Sequence, residues 1–144
     1  MNWFMVLVVF MGGIAVSIQA GVNGGLGKQI GVIEGTFLSF LIGTITLFIM
    51  MLIFGKGNLL NVTTVPKWQL IGGLLGAFYV YTLVLTVPKI GVASAIISVI
   101  VAQLITSSLI DHFGLLGMKQ IPIDGQRILG FLFLIAALFL FTKR

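Results

Sequence analysis

Five stretches of this chain run for about the length of a bilayer-spanning helix with almost no charge inside them. A hydrocarbon core of about 30 Å is crossed by roughly 20 residues of α-helix, and lipid gives backbone groups no alternative to a helix or a closed barrel. The stretches are residues 3–23, 35–54, 68–87, 92–110 and 127–141. They predict an all-α integral membrane protein, a single five-helix transmembrane domain over residues 1–144. Composition agrees, with 59% of residues hydrophobic and 8% charged, against about 25% charged in an ordinary soluble domain. The first stretch has neither a basic n-region nor an Ala-x-Ala-like cleavage site and four more follow it, so a cleaved signal peptide is not expected.

The connections sort by their breakers. GGLGKQIGVIE, residues 24–34, is Gly-rich, carries Lys28 and Glu34, and reads as a short interfacial turn. GKGNLLNVTTVPK is the most polar linker of the first half, and its Pro66 delays the third span until Trp68. Pro88, Lys89 and Gly91 leave so short a link that spans 3 and 4 are expected to be antiparallel neighbours. HFGLLGMKQIPIDGQ joins spans 4 and 5, with Pro122 and Gly125 as breakers. The last span, LGFLFLIAALFLF, holds nothing more polar than Gly and suits lipid or helix packing.

Several function classes fall away. The net charge is +5, but the 8 Lys and Arg are scattered singly and form no stripe for nucleic acid. The sequence has no Cys and one His, which leaves no disulfide, thiolate or metal cluster and implies no cofactor. There is no H-E-x-x-H and no G-x-S-x-G, so an enzyme is not expected. Asp111 and His112 look like an acid–base pair, yet adjacent helical residues project about 100° apart. They sit at a membrane boundary and read as helix-end structural residues. Glu34, where a carboxylate suits a helix N-terminus, reads the same way.

What remains is polarity inside greasy helices. Gln19 and Asn23 lie one turn apart, so their amides share a face. A polar side chain in hydrocarbon is costly unless it meets a partner or a wet cavity. Both readings stay open for this pair: interhelical hydrogen bonding, or contact with a substrate. Tyr79 and Tyr81 fall near the middle of span 3, away from the interface where aromatic belts lie, and are candidate cavity residues. Ser94 and Ser98 form one row on span 4; Gln103, Ser107 and Asp111 form another. Candidate substrate-binding residues are Gln19, Asn23, Tyr79, Tyr81, Ser98 and Gln103. Gly13, Ser17 and Gly21, Ser39 and Gly43, and Gly72 and Gly76 repeat every four residues, the spacing that lets helix backbones touch. With Gly73 they are the candidate packing or gating positions.

Over essentially its whole length the chain resembles the half-sized, five-helix branch of the drug/metabolite transporter superfamily, the YdcZ-like inner-membrane proteins. The matching stretches are SIQAGVNGGLGKQIG with FLSFLIGT, and then GGLLGAFYVYTLVLTVPKIGVASAIISVIVAQLITSSLIDHFGLLG. The second is more specific, because it is also similar to the repeat unit of ten-helix members. The resemblance implies a bacterial cytoplasmic-membrane transporter in which two five-helix units of opposite orientation form one ten-helix assembly. It places Gln19, Asn23, Ser39, Gly43, Gly72, Gly73, Gly76, Gln103, Asp111 and His112 on the family pattern. One departure concerns coupling. The four-helix multidrug relatives carry a Glu in the middle of span 1, where this chain has Gln19, and a Gln cannot titrate.

The expected function is transport of a small molecule by alternating access; the alternative is a non-transporting membrane subunit that packs against another protein and modulates it. Charge counting bears on assembly. One side of a five-span chain collects Lys56, Lys67, Lys119 and Arg127, and the other Lys28, Lys89, Lys143 and Arg144. The cytoplasmic excess of Lys and Arg that sets orientation is therefore zero. Insertion in both orientations and pairing as an antiparallel homodimer is the expectation, a paired homologous subunit being the other route to the same assembly. Span 5 is the expected dimer contact.

Overall fold

The computed structural model describes residues 2–143, so Arg144 lies outside the described residues. Among these are five α-helices and no strand: α1 (Trp3–Ile30), α2 (Val32–Phe54), α3 (Ile71–Ile90), α4 (Val92–Phe113) and α5 (Gly125–Thr142). Short 3-10 turns occupy Leu59–Thr63, Lys67–Leu70 and Leu115–Gly117. All five helices, α3 counted together with the turn at Lys67–Leu70, are long and apolar enough to cross a membrane. The chain folds as two compact units, the first reaching to Lys89 and the second starting at Ile90.

In the first unit the expected turn over residues 24–34 does not form. α1 continues to Ile30, and the single residue Gly31 separates it from α2. At 28 residues α1 is about 42 Å long, more than a hydrocarbon core of about 30 Å requires. Its glycines bring helices together instead of ending one. A Cβ on Gly24 would lie 2.9 Å from Val87 Cγ1, and one on Gly27 would overlap Val84 Cγ1. A Cβ on Gly35 of α2 would lie 3.1 Å from Gly27 Cα. α1 thus touches both α2 and α3 through bare backbone, the mode of packing that small residues permit where lipid supplies no hydrophobic drive. Ala20, Val80, Leu83, Val84 and Val87 are the buried apolar side chains of this unit.

Gly31 makes the elbow possible. Its φ of 108° is a conformation that a Cβ disfavours. Its N–H donates to Gly27 O at 3.1 Å, and its carbonyl accepts from Gly35 N–H at 2.9 Å. Hydrogen bonding therefore passes almost unbroken from one helix to the next. Buried residues cluster beside this elbow, at Ala20, Asn23, Gly24 and Gly27 of α1 and at Gly35 and Thr36 of α2. Pro88, expected in a connection, lies inside α3. Near a helix end its missing N–H removes only the bond to the Val84 carbonyl.

In the second unit α4 and α5 form an antiparallel hairpin. Ser94 Oγ, near the start of α4, donates to Phe141 O near the end of α5 at 3.2 Å, which satisfies one of the orphan carbonyls of that terminus. At the other end Arg127 Nη1 of α5 lies 3.6 Å from Asp111 Oδ2 of α4. Asp124 caps α5, its Oδ1 accepting from Arg127 N–H at 2.8 Å.

Candidate functional site

Several serine and threonine hydroxyls in these helices bond to their own backbone. Ser17 donates to Gly13 O at 3.0 Å, Thr82 to Tyr79 O at 2.7 Å, Thr86 to Thr82 O at 2.6 Å and Ser98 to Ser94 O at 2.8 Å. A short hydroxyl side chain reaches back to a carbonyl of the preceding turn. The long amides and phenols have no such local outlet, so their partners identify where polarity is used.

Asn23 is 6% exposed, and its Nδ2 donates to Ser39 Oγ of α2 at 2.9 Å. Of the two readings open for this residue, the interhelical bond is present. Gln19, one turn earlier on the same face, is exposed. The difference follows from the elbow: beside Asn23 the second helix is close, whereas no residue of α1 before Ala20 is buried. Tyr81 lines an open groove of about 380 Å³ with Ile33, Thr36, Phe37, Leu74, Ala77 and Phe78. Tyr79, two residues away and so on another face, is half-buried and outside that groove. In the second unit Ser98 is half-buried and Gln103 exposed. Among the described residues no side-chain hydrogen bond involves the amide of Gln19 or Gln103 or the hydroxyl of Tyr79 or Tyr81.

The glycine positions divide in two. A Cβ on Gly13, Gly43, Gly72 or Gly73 meets no atom within 4 Å, and one on Gly76 meets Phe40 Cζ at an ordinary 3.7 Å. The tight approaches are at Gly24, Gly27 and Gly35. The signal for them was present, since Gly27, Gly31 and Gly35 continue the four-residue spacing through the stretch that looked like a turn.

Helix-end residues do organise their surroundings. Glu34 lies in the first turn of α2, its carboxylate folded back over Gly31. The Asp111 carbonyl accepts from Ile121 N–H at 2.8 Å and from Gly114 N–H at 3.2 Å. His112 Nδ1 accepts from Ile123 N–H at 3.1 Å, and its carbonyl from Gln120 Nε2 at 3.0 Å. This pins the loop that follows α4 and leaves Nε2 as the site of the proton on a neutral ring. Arg127, counted in the sequence only for its charge, proves to be the partner of the Asp111 carboxylate. No group of His, Asp and Glu suited to a metal occurs among the described residues.

Helices of membrane length, with amides left exposed on apolar surfaces and hydroxyls turned inward on their own backbones, define a multi-pass membrane protein. Residues 4–140 match the family described as "Putative inner membrane exporter, YdcZ", and the chain belongs to that family. Its place is the bacterial inner membrane, which it crosses several times, and the family is one of exporters, not of enzymes. Comparison with curated proteins and with solved structures gives no match.

Proposed function

We propose that the chain exports a small solute as a dimer of two oppositely oriented copies, ten helices in all, opening alternately to the two sides of the membrane. The observation that carries this reading is the exposure of Gln19 and Gln103, amides on membrane-length apolar helices with no hydrogen-bond partner among the described residues. An amide facing acyl chains loses its hydrogen bonds to water without replacement. A second copy and a wet, solute-binding cavity between the copies would supply them. Tyr79, Tyr81 and Ser98 are the further candidate lining residues, and Asn23 ties α1 to α2 through Ser39. The even split of Lys and Arg permits both orientations. α5 has no buried residue, and its stretch from Ile128 to Phe141 offers an apolar dimer surface. Two copies in opposite orientation would reproduce the inverted repeat that larger transporters encode in tandem.

The test uses the absence of cysteine. Asn61 is exposed in the linker after α2, and an Asn61→Cys chain is labelled in intact cells with a membrane-impermeant maleimide. Labelling of roughly half the molecules is expected for dual insertion; labelling near zero or near completion refutes it. Reconstitution of the purified chain alone then separates a transporter from an accessory subunit. Counterflow of a solute found by thermal-shift screening is expected for the first, and an inert monomer for the second.

A further inference from the structure

The loop end of the α4/α5 hairpin holds a groove of about 320 Å³, lined by Leu104, Ser107, Ser108, Asp111, Arg127, Gly130, Phe131 and Leu134. Its chemistry is graded. Asp111 lies near the end of α4 and Arg127 near the start of α5, so both charges sit at one end of the groove. Leu104 and Leu134 are each one heptad deeper along their helices, a descent of about 10 Å. Between the two ends lie the serines and Gly130, where an added Cβ would meet no atom within 4 Å.

The charged end is incompletely satisfied. Arg127 Nη1 has no hydrogen-bond acceptor among the described residues, and the Arg127 and Asp111 side chains stay 33% and 35% exposed, so the rest of the pair is open to a ligand. Its nearest carboxylate oxygen, at 3.6 Å, is beyond the 2.7–2.9 Å or so of a charge-assisted bond. A guanidinium carries five donors and no acceptor, and the Asp111 carboxylate retains several acceptor positions. What completes both is a ligand that brings an anionic oxygen to Arg127 and an N–H donor to Asp111, with no net charge of its own, and with an apolar tail to follow Leu104, Phe131 and Leu134.

The geometry points to a binding site for a phospholipid with a primary ammonium headgroup, phosphatidylethanolamine, seated at the loop end of the α4/α5 hairpin. Its phosphate accepts from Arg127, its ammonium donates to Asp111, and one acyl chain descends the groove past Gly130. An anionic lipid would satisfy the guanidinium but set its negative charge against the carboxylate. A quaternary ammonium lipid has no N–H to donate. The site is separate from the residues proposed above to bind solute, so it stands or falls independently of the transport reading.

The experiment counts lipids retained by the full-length chain. Delipidated protein in mild detergent is titrated in parallel with phosphatidylethanolamine, phosphatidylglycerol and phosphatidylcholine, and bound lipid is measured by native mass spectrometry. Preference for phosphatidylethanolamine of about tenfold is expected, the ratio that one charge-assisted hydrogen bond supports. Arg127→Gln and Asp111→Asn should each abolish that preference. Gly130→Leu fills the path of the acyl chain while leaving the ion pair untouched, and it should lose the lipid even if either charge variant fails to fold. Equal retention of phosphatidylglycerol overturns the proposal, as does undiminished retention by Gly130→Leu. Displacement of the lipid by inorganic phosphate alone overturns it too, because the apolar half of the groove would then contribute nothing.

Discussion

Alanine at position 27 should push α1 away from α3, and the structure says by what route. The new Cβ would overlap Val84 Cγ1, and Val84, at 1% exposure, has no room to yield. Two effects oppose each other. Alanine is a better helix former than glycine by about 0.5–1 kcal/mol, whereas overfilling a packed contact costs about 1–3 kcal/mol. The net expectation for Gly27→Ala is a loss of about 1 kcal/mol. Val84→Ala alone removes two buried methyl carbons and leaves a void, a loss of about 1–2 kcal/mol. Together the changes compensate, because the added Cβ enters the space that Cγ1 leaves. The double variant should be more stable than the sum of the singles by about 1–2 kcal/mol. Gly12→Ala, whose Cβ meets no atom within 4 Å, is the control and should show no loss. Denaturation of the four proteins in a common detergent measures the cycle. Additivity within about 0.5 kcal/mol would mean that Gly27 and Val84 do not touch, and the packing described for the first unit would be wrong.

Other consequences are simpler to check. Asn23→Leu or Ser39→Ala should each lower stability in detergent by about 0.5–2 kcal/mol, the two losses failing to add because they share one hydrogen bond. Gly76→Ala should be tolerated, since its Cβ reaches Phe40 at 3.7 Å; Gly76→Leu should force α2 from α3 and abolish transport in vesicles while membrane insertion, followed by fractionation, stays normal. Asp124→Ala should cost about 0.5–2 kcal/mol through loss of the α5 cap, and Asp124→Asn should recover most of it in the same denaturation assay.

Length and apolarity made the five helices legible, because a bilayer admits few alternatives and the count depends on no tertiary detail. Their ends were less so. Residues 24–30 looked like a turn because glycine disfavours helix in water, yet Gly24 and Gly27 are where an added Cβ would run into α3. Glycine at an interface and glycine in a turn are the same letter; only the neighbour tells them apart. Pro88 misled in the same manner, since a proline near the end of a helix forfeits one bond and no more. Of the polar residues, Asn23 and Gln19 share a face by periodicity, but their different burial depends on where α2 meets α1, which no spacing rule encodes. The Asp111–Arg127 pair was hidden for a related reason. The residues are far apart in sequence, and only the closing of the α4/α5 hairpin brings them to 3.6 Å.

The elbow at Gly31 bears on how the chain enters the bilayer during synthesis. A nascent helix usually leaves the translocation channel by itself and waits in lipid for its neighbour, with a loop long enough to bridge the gap. Here the bridge is one residue, hydrogen-bonded on both sides to the helices it joins. α1 therefore has no tether with which to depart ahead of α2. The two are expected to enter lipid as a pair, in which Gly27 meets Gly35 and the Asn23 amide meets Ser39. The Asn23 amide would then meet hydrocarbon with its partner attached.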